Sequence, residues 1–181
     1  GWTDGTKREF PQLSRYLAAR GYIVANVDYR LAPRWRFPAP LDDLEAAIRY
    51  IKDLETTHAV DPTRIALLGR SAGGQIALLG AYTSTDPAIR GVVSMQGPAA
   101  MRWSYLNPAK ERVFDTKAAL ENYLGGSPTT HGTQYDAAEP ARFVTPDSPP
   151  TLILQGLRDE HVPMFHADLV SAKLIEQGVP H

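Results

Sequence analysis

A serine flanked by glycines at two-residue spacing is the feature of this sequence best suited to chemistry. Gly69-Arg70-Ser71-Ala72-Gly73 follows a short apolar run, residues 65–68, and precedes an apolar stretch with helical spacing. A serine on such a strand-to-helix turn is strained and projects its hydroxyl above the sheet. The helix N-terminus, including the Ala72 N–H, then faces a developing oxyanion. The pattern predicts a nucleophile for acyl transfer; the alternative is an ordinary turn with a serine N-cap.

A carboxylate that could serve this serine lies on the loop after a late apolar run. Residues 151–155 are predicted to form a buried strand, and Gly156-Leu157-Arg158-Asp159-Glu160 follows it. A carboxylate at this point can orient a histidine and stabilise its imidazolium. Asp159 is the predicted acid and Glu160 is the alternative. The competing interpretation is that Asp159 is a solvated loop residue.

The base that completes such a site is a histidine that follows the acid along the chain. His161 is too close to the acid to fold back on it, His166 falls in a predicted helix, and His181 is the last residue. His58 and His131 precede the acid and are interpreted as surface residues. These residues by themselves leave the base unassigned, and the family resemblance given below implies that it lies beyond residue 181. The 181 residues alone are then expected neither to hydrolyse esters nor to form the complete sheet.

The elements that position these residues follow two hydrophobic periods. Short apolar runs predict buried strands over 22–27, 65–68, 91–95 and 151–155. Helical spacing predicts helices over 8–20, 42–54, 72–82 and 163–177. The predicted inward residues are Phe10, Leu13, Tyr16 and Leu17 in the first helix and Phe165, Leu169 and Ala172 in the last. Alternating strands and helices predict an α/β fold, a mostly parallel sheet with helices on both faces.

Residues 97–149 interrupt this alternation. They contain Trp103, Tyr105, Tyr123 and several prolines. A long insertion between two core strands is more often a functional lid than a structureless loop. We predict one domain over residues 1–181, with a cap at about 97–149 that overhangs Ser71. Trp103 and Tyr105 are predicted to help line the substrate pocket.

Composition narrows the classes of partner. The chain has 181 residues, of which 43% are hydrophobic and 22% charged, as in ordinary globular domains. Its formal net charge of −1 favours neither nucleic acid nor an anionic membrane as a partner. No apolar run reaches the length of a membrane span, and the absence of cysteine excludes thiolate metal sites and disulfides. Compartment and oligomeric state remain open.

Beyond the serine motif, the sequence resembles the acetyl-esterase and feruloyl-esterase branch of the α/β-hydrolases, close to the hormone-sensitive-lipase-like carboxylesterases. The similar segments are residues 28–33 and 37–43 (DYRLAP and FPAPLDD), residues 61–74 around the serine, and residues 155–163 around the acid. Gly1-Trp2-Thr3-Asp4-Gly5 resembles the tail of that family's His-Gly-Gly-Gly-Trp segment. Arg70 replaces the aspartate of many lipase-like relatives, which favours the feruloyl/acetyl-esterase branch.

The resemblance implies an α/β-hydrolase fold, here without the early strands and the last strand. It implies cleavage of small-molecule esters, with short acyl groups or carbohydrate-linked alcohols, through an acyl-enzyme and without metal or cofactor. In that scheme the Ala72 N–H and glycine N–H groups at or before Gly1 form the oxyanion hole, and Trp2 lies near the pocket. The alternatives are a serine peptidase of the prolyl-oligopeptidase type and a binding domain that has lost catalysis.

Overall fold

The centre of the molecule is a three-stranded parallel sheet in a computed structural model that describes residues 1–110 and 114–181. The strands are β1 (Ile65–Arg70), β2 (Ile89–Met95) and β3 (Thr151–Leu154), in the order β1-β2-β3. The strands predicted over 65–68, 91–95 and 151–155 are thereby confirmed. Because all three strands run in parallel, the segments that follow them emerge at one edge, where open α/β sheets bind their ligands.

The described residues form eight helices in addition to the sheet. The predicted helices form, with ends that differ from the prediction by at most three residues. In chain order the helices are α1 (Pro11–Ala18), α2 (Ala39–Asp53), α3 (Glu55–His58), α4 (Ala72–Thr83), α5 (Met101–Leu106), α6 (Thr116–Leu124), α7 (Gly132–Ala137) and α8 (Phe165–Glu176). Among the residues described, no helix is both long and apolar enough to cross a membrane.

Helix α4 is the central helix and carries the serine motif at its start. Ten of its twelve residues are buried, which is typical of a helix enclosed on all sides. It packs on β1 and β2 and, on its other side, on α2. At the α2 contact a side chain on Gly80 would collide with Leu44, so the glycine lets the two helices approach closely. The core therefore holds the first turn of α4 firmly.

The strand predicted over residues 22–27 is wrong. This segment belongs to no sheet, and β1 pairs with β2 alone among the described residues. Tyr22 is 61% exposed and Ile23 56% exposed. A run of apolar residues predicts a buried strand, but the strand forms only where a neighbour pairs with its backbone N–H and C=O groups.

The inward faces predicted for two helices are only partly correct. Helix α1 has no fully buried residue: Leu13 and Leu17 are half-buried, whereas Phe10 and Tyr16 are exposed. Helix α8 is turned by about one residue from the predicted orientation: Leu169 is half-buried and packs against the core, but Phe165 and Ala172 are exposed. Its buried residues are His166, Ala167, Val170 and Leu174. The sequence does not predict this buried face, because a polar residue such as His166 is not expected at an inward position.

The insertion over residues 97–149 is largely helical in its described part. It contains α5, α6, α7 and a 3₁₀ turn, Pro140–Arg142. Arg102 joins these elements, because it donates to the Asp136 carboxylate at 2.9 Å and to the Gly132 carbonyl at 3.2 Å. The insertion and the start of α4 share one hydrophobic cluster: Trp2, Ala32, Ala72, Ile76, Met101, Leu120, Tyr123, Leu124, Tyr135 and Ala138. The insertion thus packs beside the helix that begins at the serine motif.

Candidate active site

Ser71 lies on the turn between β1 and α4 in a strained backbone conformation. Its φ of 52° and ψ of −122° are rare for a residue with a side chain, and such a conformation costs on the order of 1–3 kcal/mol. Two hydrogen bonds hold it in place. The Ser71 N–H donates to the Met95 carbonyl at 2.8 Å, and the Ser71 carbonyl accepts from the Gln75 N–H at 3.1 Å. The neighbouring strand and the helix thereby impose the strain.

The two glycines of the motif have different roles. A Cβ on Gly69 would overlap the backbone carbonyl of Gly73, so only glycine fits at the end of β1. A Cβ on Gly73 would meet nothing within 4 Å. Of the two glycines, only Gly69 therefore has a steric reason to lack a side chain. A further close approach joins Gly74 and Gly97, where a Cβ on Gly74 would lie 2.9 Å from the Gly97 Cα.

The predicted oxyanion donors lie on two chain segments. Ala72 is the first residue of α4, so its N–H is one of the four that a helix leaves unpaired. The other segment begins at Gly1, whose carbonyl accepts from the Tyr29 hydroxyl at 2.7 Å. Burial raises the pKa of Tyr29 to about 12, which keeps this hydroxyl protonated. The next carbonyl, that of Trp2, accepts from the Ala32 N–H at 2.9 Å.

The predicted acid lies on a loop that fixes the direction of its carboxylate. The Asp159 Oδ1 accepts from the His161 N–H and from the Val162 N–H, both at 2.9 Å. The Gln155 side chain donates to the Val162 carbonyl at 2.7 Å and closes the loop. Glu160, the alternative acid, is exposed. The geometry therefore favours Asp159, whose Oδ1 is held and whose Oδ2 has no hydrogen-bond partner among the described residues.

Ser71 and Asp159 follow strands that end at the same edge of the sheet. Ser71 follows β1 directly, Asp159 comes five residues after β3, and β2 lies between the two strands. Adjacent strands are spaced at about 4.8 Å, so the strand axes are roughly 10 Å apart. An imidazole hydrogen-bonded through both nitrogens is a side chain of the right length and chemistry to join the two groups.

His166 does not connect Ser71 and Asp159, because both nitrogens of its ring are hydrogen-bonded within the core. The side chain is 1% exposed. Its Nδ1 accepts from the Ala99 N–H at 3.1 Å, and its Nε2 lies 3.1 Å from the Ser104 Oγ. Since the Ser104 hydroxyl donates to the Ala100 carbonyl, Nε2 carries the proton. Burial lowers the pKa of His166 to about 4, against a smaller opposing effect of Asp159.

The other histidines are engaged elsewhere. His181 follows Pro180, whose carbonyl accepts from the N–H of Thr151 at the start of β3, so it lies by the opposite edge of the sheet. His58 ends α3, ahead of the start of β1, and its Nδ1 lies 2.8 Å from the Thr57 hydroxyl. The Nδ1 of His131 lies 2.9 Å from the Thr130 hydroxyl within the insertion. The exposed ring of His161 packs against Phe114 at 5.8 Å.

The predicted pocket residues make contacts of their own. Trp2 is buried, and its indole N–H donates to the Gln75 side chain at 3.0 Å. Trp103 stacks on Phe165 of α8, with ring centroids 4.3 Å apart. The Tyr105 hydroxyl donates to the Glu121 carboxylate at 2.6 Å, and this carboxylate raises the pKa of Tyr105. That these three residues line a pocket stays a prediction.

Two further residues at the site escaped the sequence analysis. Gln96 directly follows β2, the strand between β1 and β3, with a φ of 52°, and its N–H donates to the Leu154 carbonyl at 2.8 Å. Nothing in the sequence signals this conformation. Gln75 is fully buried one turn after Ser71. A single glutamine among the mostly apolar residues of this helix is the sequence feature that could have indicated its role. Within the described ranges, no three histidine or carboxylate side chains converge as a metal site.

Comparison with known proteins shows that the chain is similar to several esterases. The BD-FAE family model matches residues 1–174. Esterase LipQ of Mycobacterium tuberculosis is 28% identical over 186 residues, which cover 98% of this chain and 44% of LipQ. Esterase LipC of the same organism is 28% identical over 183 residues and is covered to 44%. The chain therefore spans less than half the length of these curated relatives.

A solved structure confirms the fold. The acetyl ester-xyloside bifunctional hydrolase of Caldicellulosiruptor lactoaceticus superposes with a TM-score of 0.76 at 25% identity, over 99% of this chain and 66% of that protein. The fold is that of the α/β-hydrolases, as the sequence predicts. With the family model covering nearly the whole chain, we conclude that the chain belongs to the BD-FAE family.

Proposed function

We propose that these residues form the nucleophile and acid portion of a serine esterase that cleaves carboxylic esters of short acyl groups. The observation that carries the proposal is the juxtaposition at one sheet edge of a strained serine and a carboxylate with a fixed direction. Strain at a residue without a structural need for it is typical of active sites. The ester-hydrolase names of the relatives support the same reaction class.

In the proposed reaction, the Ser71 Oγ attacks the ester carbonyl carbon while a histidine takes the hydroxyl proton. The Ala72 N–H and glycine N–H groups at or before Gly1 stabilise the oxyanion. Collapse of this intermediate expels the alcohol, which receives the proton from the histidine. Water, activated by the same histidine, then releases the carboxylic acid and restores Ser71. Asp159 orients the histidine and stabilises its imidazolium through Oδ2.

The histidine in this scheme comes from outside residues 1–181. The contacts of the five histidines support this, because His166, His58, His131 and His181 are hydrogen-bonded elsewhere and the His161 ring lies against Phe114. We call a protein in which the sequence continues beyond His181 the extended chain. Tests of catalysis use the extended chain, since a serine without its base is a weak nucleophile.

The insertion forms one wall of the proposed site. It contacts the start of α4 through the shared hydrophobic cluster and the acid loop through Phe114 and His161. Trp103 and Tyr105 are the proposed pocket residues on this wall. Carbohydrate-linked acyl esters are the proposed substrates, by analogy with the acetyl ester-xyloside hydrolase.

Covalent labelling of Ser71 tests the proposed function. A fluorophosphonate probe should modify the extended chain at Ser71, because the elbow presents an activated hydroxyl. Ser71→Ala should abolish both labelling and hydrolysis of a short-chain aryl ester. Ser84→Ala, at the other end of α4, is the matched control and should keep both. Equal labelling of wild type and Ser71→Ala would refute the assignment.

A further inference from the structure

Gln75 is a buried polar residue with every side-chain hydrogen-bonding group in use except one amide hydrogen. It is 0% exposed and lies in the first turn of α4, which is otherwise apolar. Its Oε1 accepts from the Trp2 indole N–H at 3.0 Å and from the Tyr123 hydroxyl at 3.2 Å. Its Nε2 donates to the Ala138 carbonyl at 2.9 Å. Burial of an amide is costly without such partners.

The three partners come from three different parts of the chain. Trp2 belongs to the first segment, Tyr123 to α6, and Ala138 follows α7. The Trp2 and Tyr123 rings also stack, with centroids 4.9 Å apart and planes within 10°. Burial raises the pKa of Tyr123, so its hydroxyl stays a donor. Gln75 therefore joins the nucleophile helix to the first segment and to the insertion.

We propose that Gln75 is a positioning residue that fixes the backbone at Gly1 and Trp2 relative to the Ala72 N–H. It thereby sets the spacing of the two groups of oxyanion donors around Ser71. The inference rests on the proposed function, in which Gly1 and Ala72 belong to these two groups. Gln75 touches neither substrate nor the reacting atoms; it acts through Trp2.

The path from Gln75 to the site is short on both sides. On one side, the Gln75 N–H donates to the Ser71 carbonyl, so the residue shares a helical turn with the nucleophile. On the other side, Trp2 is the direct neighbour of Gly1. Displacement of catalytic groups by about 1 Å can lower a rate by about 100-fold. Loss of one oxyanion donor lowers kcat by about 100- to 1,000-fold.

Three substitutions in the extended chain test the inference. Gln75→Met keeps the approximate length of the side chain and removes all three hydrogen bonds. Trp2→Phe keeps a ring against Tyr123 and removes the indole donor alone. The control is Tyr82→Phe, which removes a buried hydrogen bond to Thr151 (2.9 Å) at the far end of the same helix. Each variant is measured for melting temperature, kcat and KM with a short-chain aryl ester, and the rate of fluorophosphonate labelling.

The expected result separates positioning from stability. Gln75→Met and Trp2→Phe should both lower kcat and the labelling rate by about 10- to 100-fold, with KM changed by no more than about 2-fold. Tyr82→Phe should lower the melting temperature and leave kcat at the wild-type value. In NMR spectra, the Trp2 indole N–H should lose its protection from hydrogen exchange in Gln75→Met.

The experiment distinguishes failure of the Gln75 inference from failure of the proposed function. If wild type is active and Gln75→Met keeps its kcat while melting earlier, as Tyr82→Phe does, Gln75 has a structural role only and the inference is overturned. The proposed function then still stands. If wild type neither hydrolyses the ester nor is labelled at Ser71, the proposed function fails, and the inference fails with it.

Discussion

At the scale of single residues, the glycine spacing of the serine motif has one steric cause rather than two. Gly69 faces the backbone of α4, and any side chain there would overlap the Gly73 carbonyl. Gly73 faces open space and its φ is not positive. A short pattern of residues predicts where the chain turns. Only the coordinates show which member of the pattern the turn requires.

This difference predicts opposite effects for two alanine substitutions. Gly69→Ala should displace the start of α4 from the end of β1 and lower the free energy of unfolding by about 1–3 kcal/mol, as overpacking does. For a chain of this length, that corresponds to a melting temperature lower by roughly 2–12 °C. The labelling rate of Ser71 in the extended chain should fall as well.

Gly73→Ala is the matched control for this prediction. The new methyl group meets no atom, and alanine is favoured over glycine in a helix by up to about 1 kcal/mol. Its melting temperature should equal or slightly exceed that of wild type by differential scanning calorimetry. Equal losses of stability in the two variants would contradict the steric explanation.

At the scale of elements, His166 ties three parts of the molecule together. Its ring accepts from the Ala99 N–H after β2, reaches the Ser104 hydroxyl on α5, and belongs to α8. The rings of Trp103 and Phe165 lie 5.4 and 5.9 Å from it. We call these contacts of His166 the His166 junction. Because Nδ1 must stay unprotonated to accept from the Ala99 N–H, protonation of His166 would break this hydrogen bond.

The junction should therefore weaken in acid. Burial lowers the pKa of His166 from 6.5 to about 4 in the folded protein. Below pH 6.5 the unfolded chain binds a proton that the folded chain excludes, so stability is lost as the pH falls from 6.5 to 4. At 1.36 kcal/mol per pKa unit, the loss approaches about 3 kcal/mol. Urea unfolding at several pH values measures it.

Substitution by asparagine isolates this contribution. His166→Asn places an amide oxygen near the position of Nδ1 and does not titrate, so its unfolding free energy should depend less on pH between 6.5 and 4. The carboxylates of the chain are common to both proteins, so their contribution cancels in the comparison. His58→Asn removes an exposed histidine and should follow the wild-type curve. Parallel curves for His166→Asn and wild type would show that this histidine does not set the acid sensitivity.

Most of the elements can be predicted from the sequence, but the contacts made by His166 cannot. The strands β1, β2 and β3 and helices α2, α4 and α8 follow from local hydrophobic periods. The buried face of α8 does not, because its decisive residue is a histidine whose partners lie more than sixty positions away. The strand over residues 22–27 fails for a related reason, since pairing depends on a neighbour and not on the segment itself. The positions of Ser71 and Asp159 after strands β1 and β3 could be predicted, because the proposed chemistry needs each group at a fixed place relative to a strand.

At the scale of the whole molecule, one face of the sheet is covered and the other is not. Leu67 lies in the core with α4, whereas Leu68, Leu152 and Leu154 are 45%, 52% and 45% exposed. Apolar side chains at this exposure on the two outer strands of one sheet are typical of a contact surface. Helix α1 has no buried residue beside this sheet. Helix α4 holds the nucleophile on its side of the sheet independently of the exposed face.

The last prediction concerns the proposed catalytic site as a whole. Residues 1–181 position the serine, the acid and the Ala72 N–H, while the contacts of their histidines leave the base unassigned. The 181-residue chain should then hydrolyse a short-chain aryl ester far more slowly than the extended chain. Removal of one triad member leaves about 10³- to 10⁴-fold catalysis over water, which the oxyanion hole and binding supply.

Substitution of His161 is the most direct control for this prediction. It is the histidine nearest to the acid in sequence, on the loop that carries Asp159 at the Ser71 edge of the sheet, and its side chain is exposed. If it served as the base, the 181-residue chain would match the extended chain in kcat, and His161→Ala would abolish turnover in both. We expect instead that His161→Ala leaves kcat of the extended chain unchanged within about 3-fold, because its ring packs on Phe114 and its N–H already binds Asp159. Side-by-side turnover of the two chains, each with and without this substitution, decides whether the base lies inside residues 1–181.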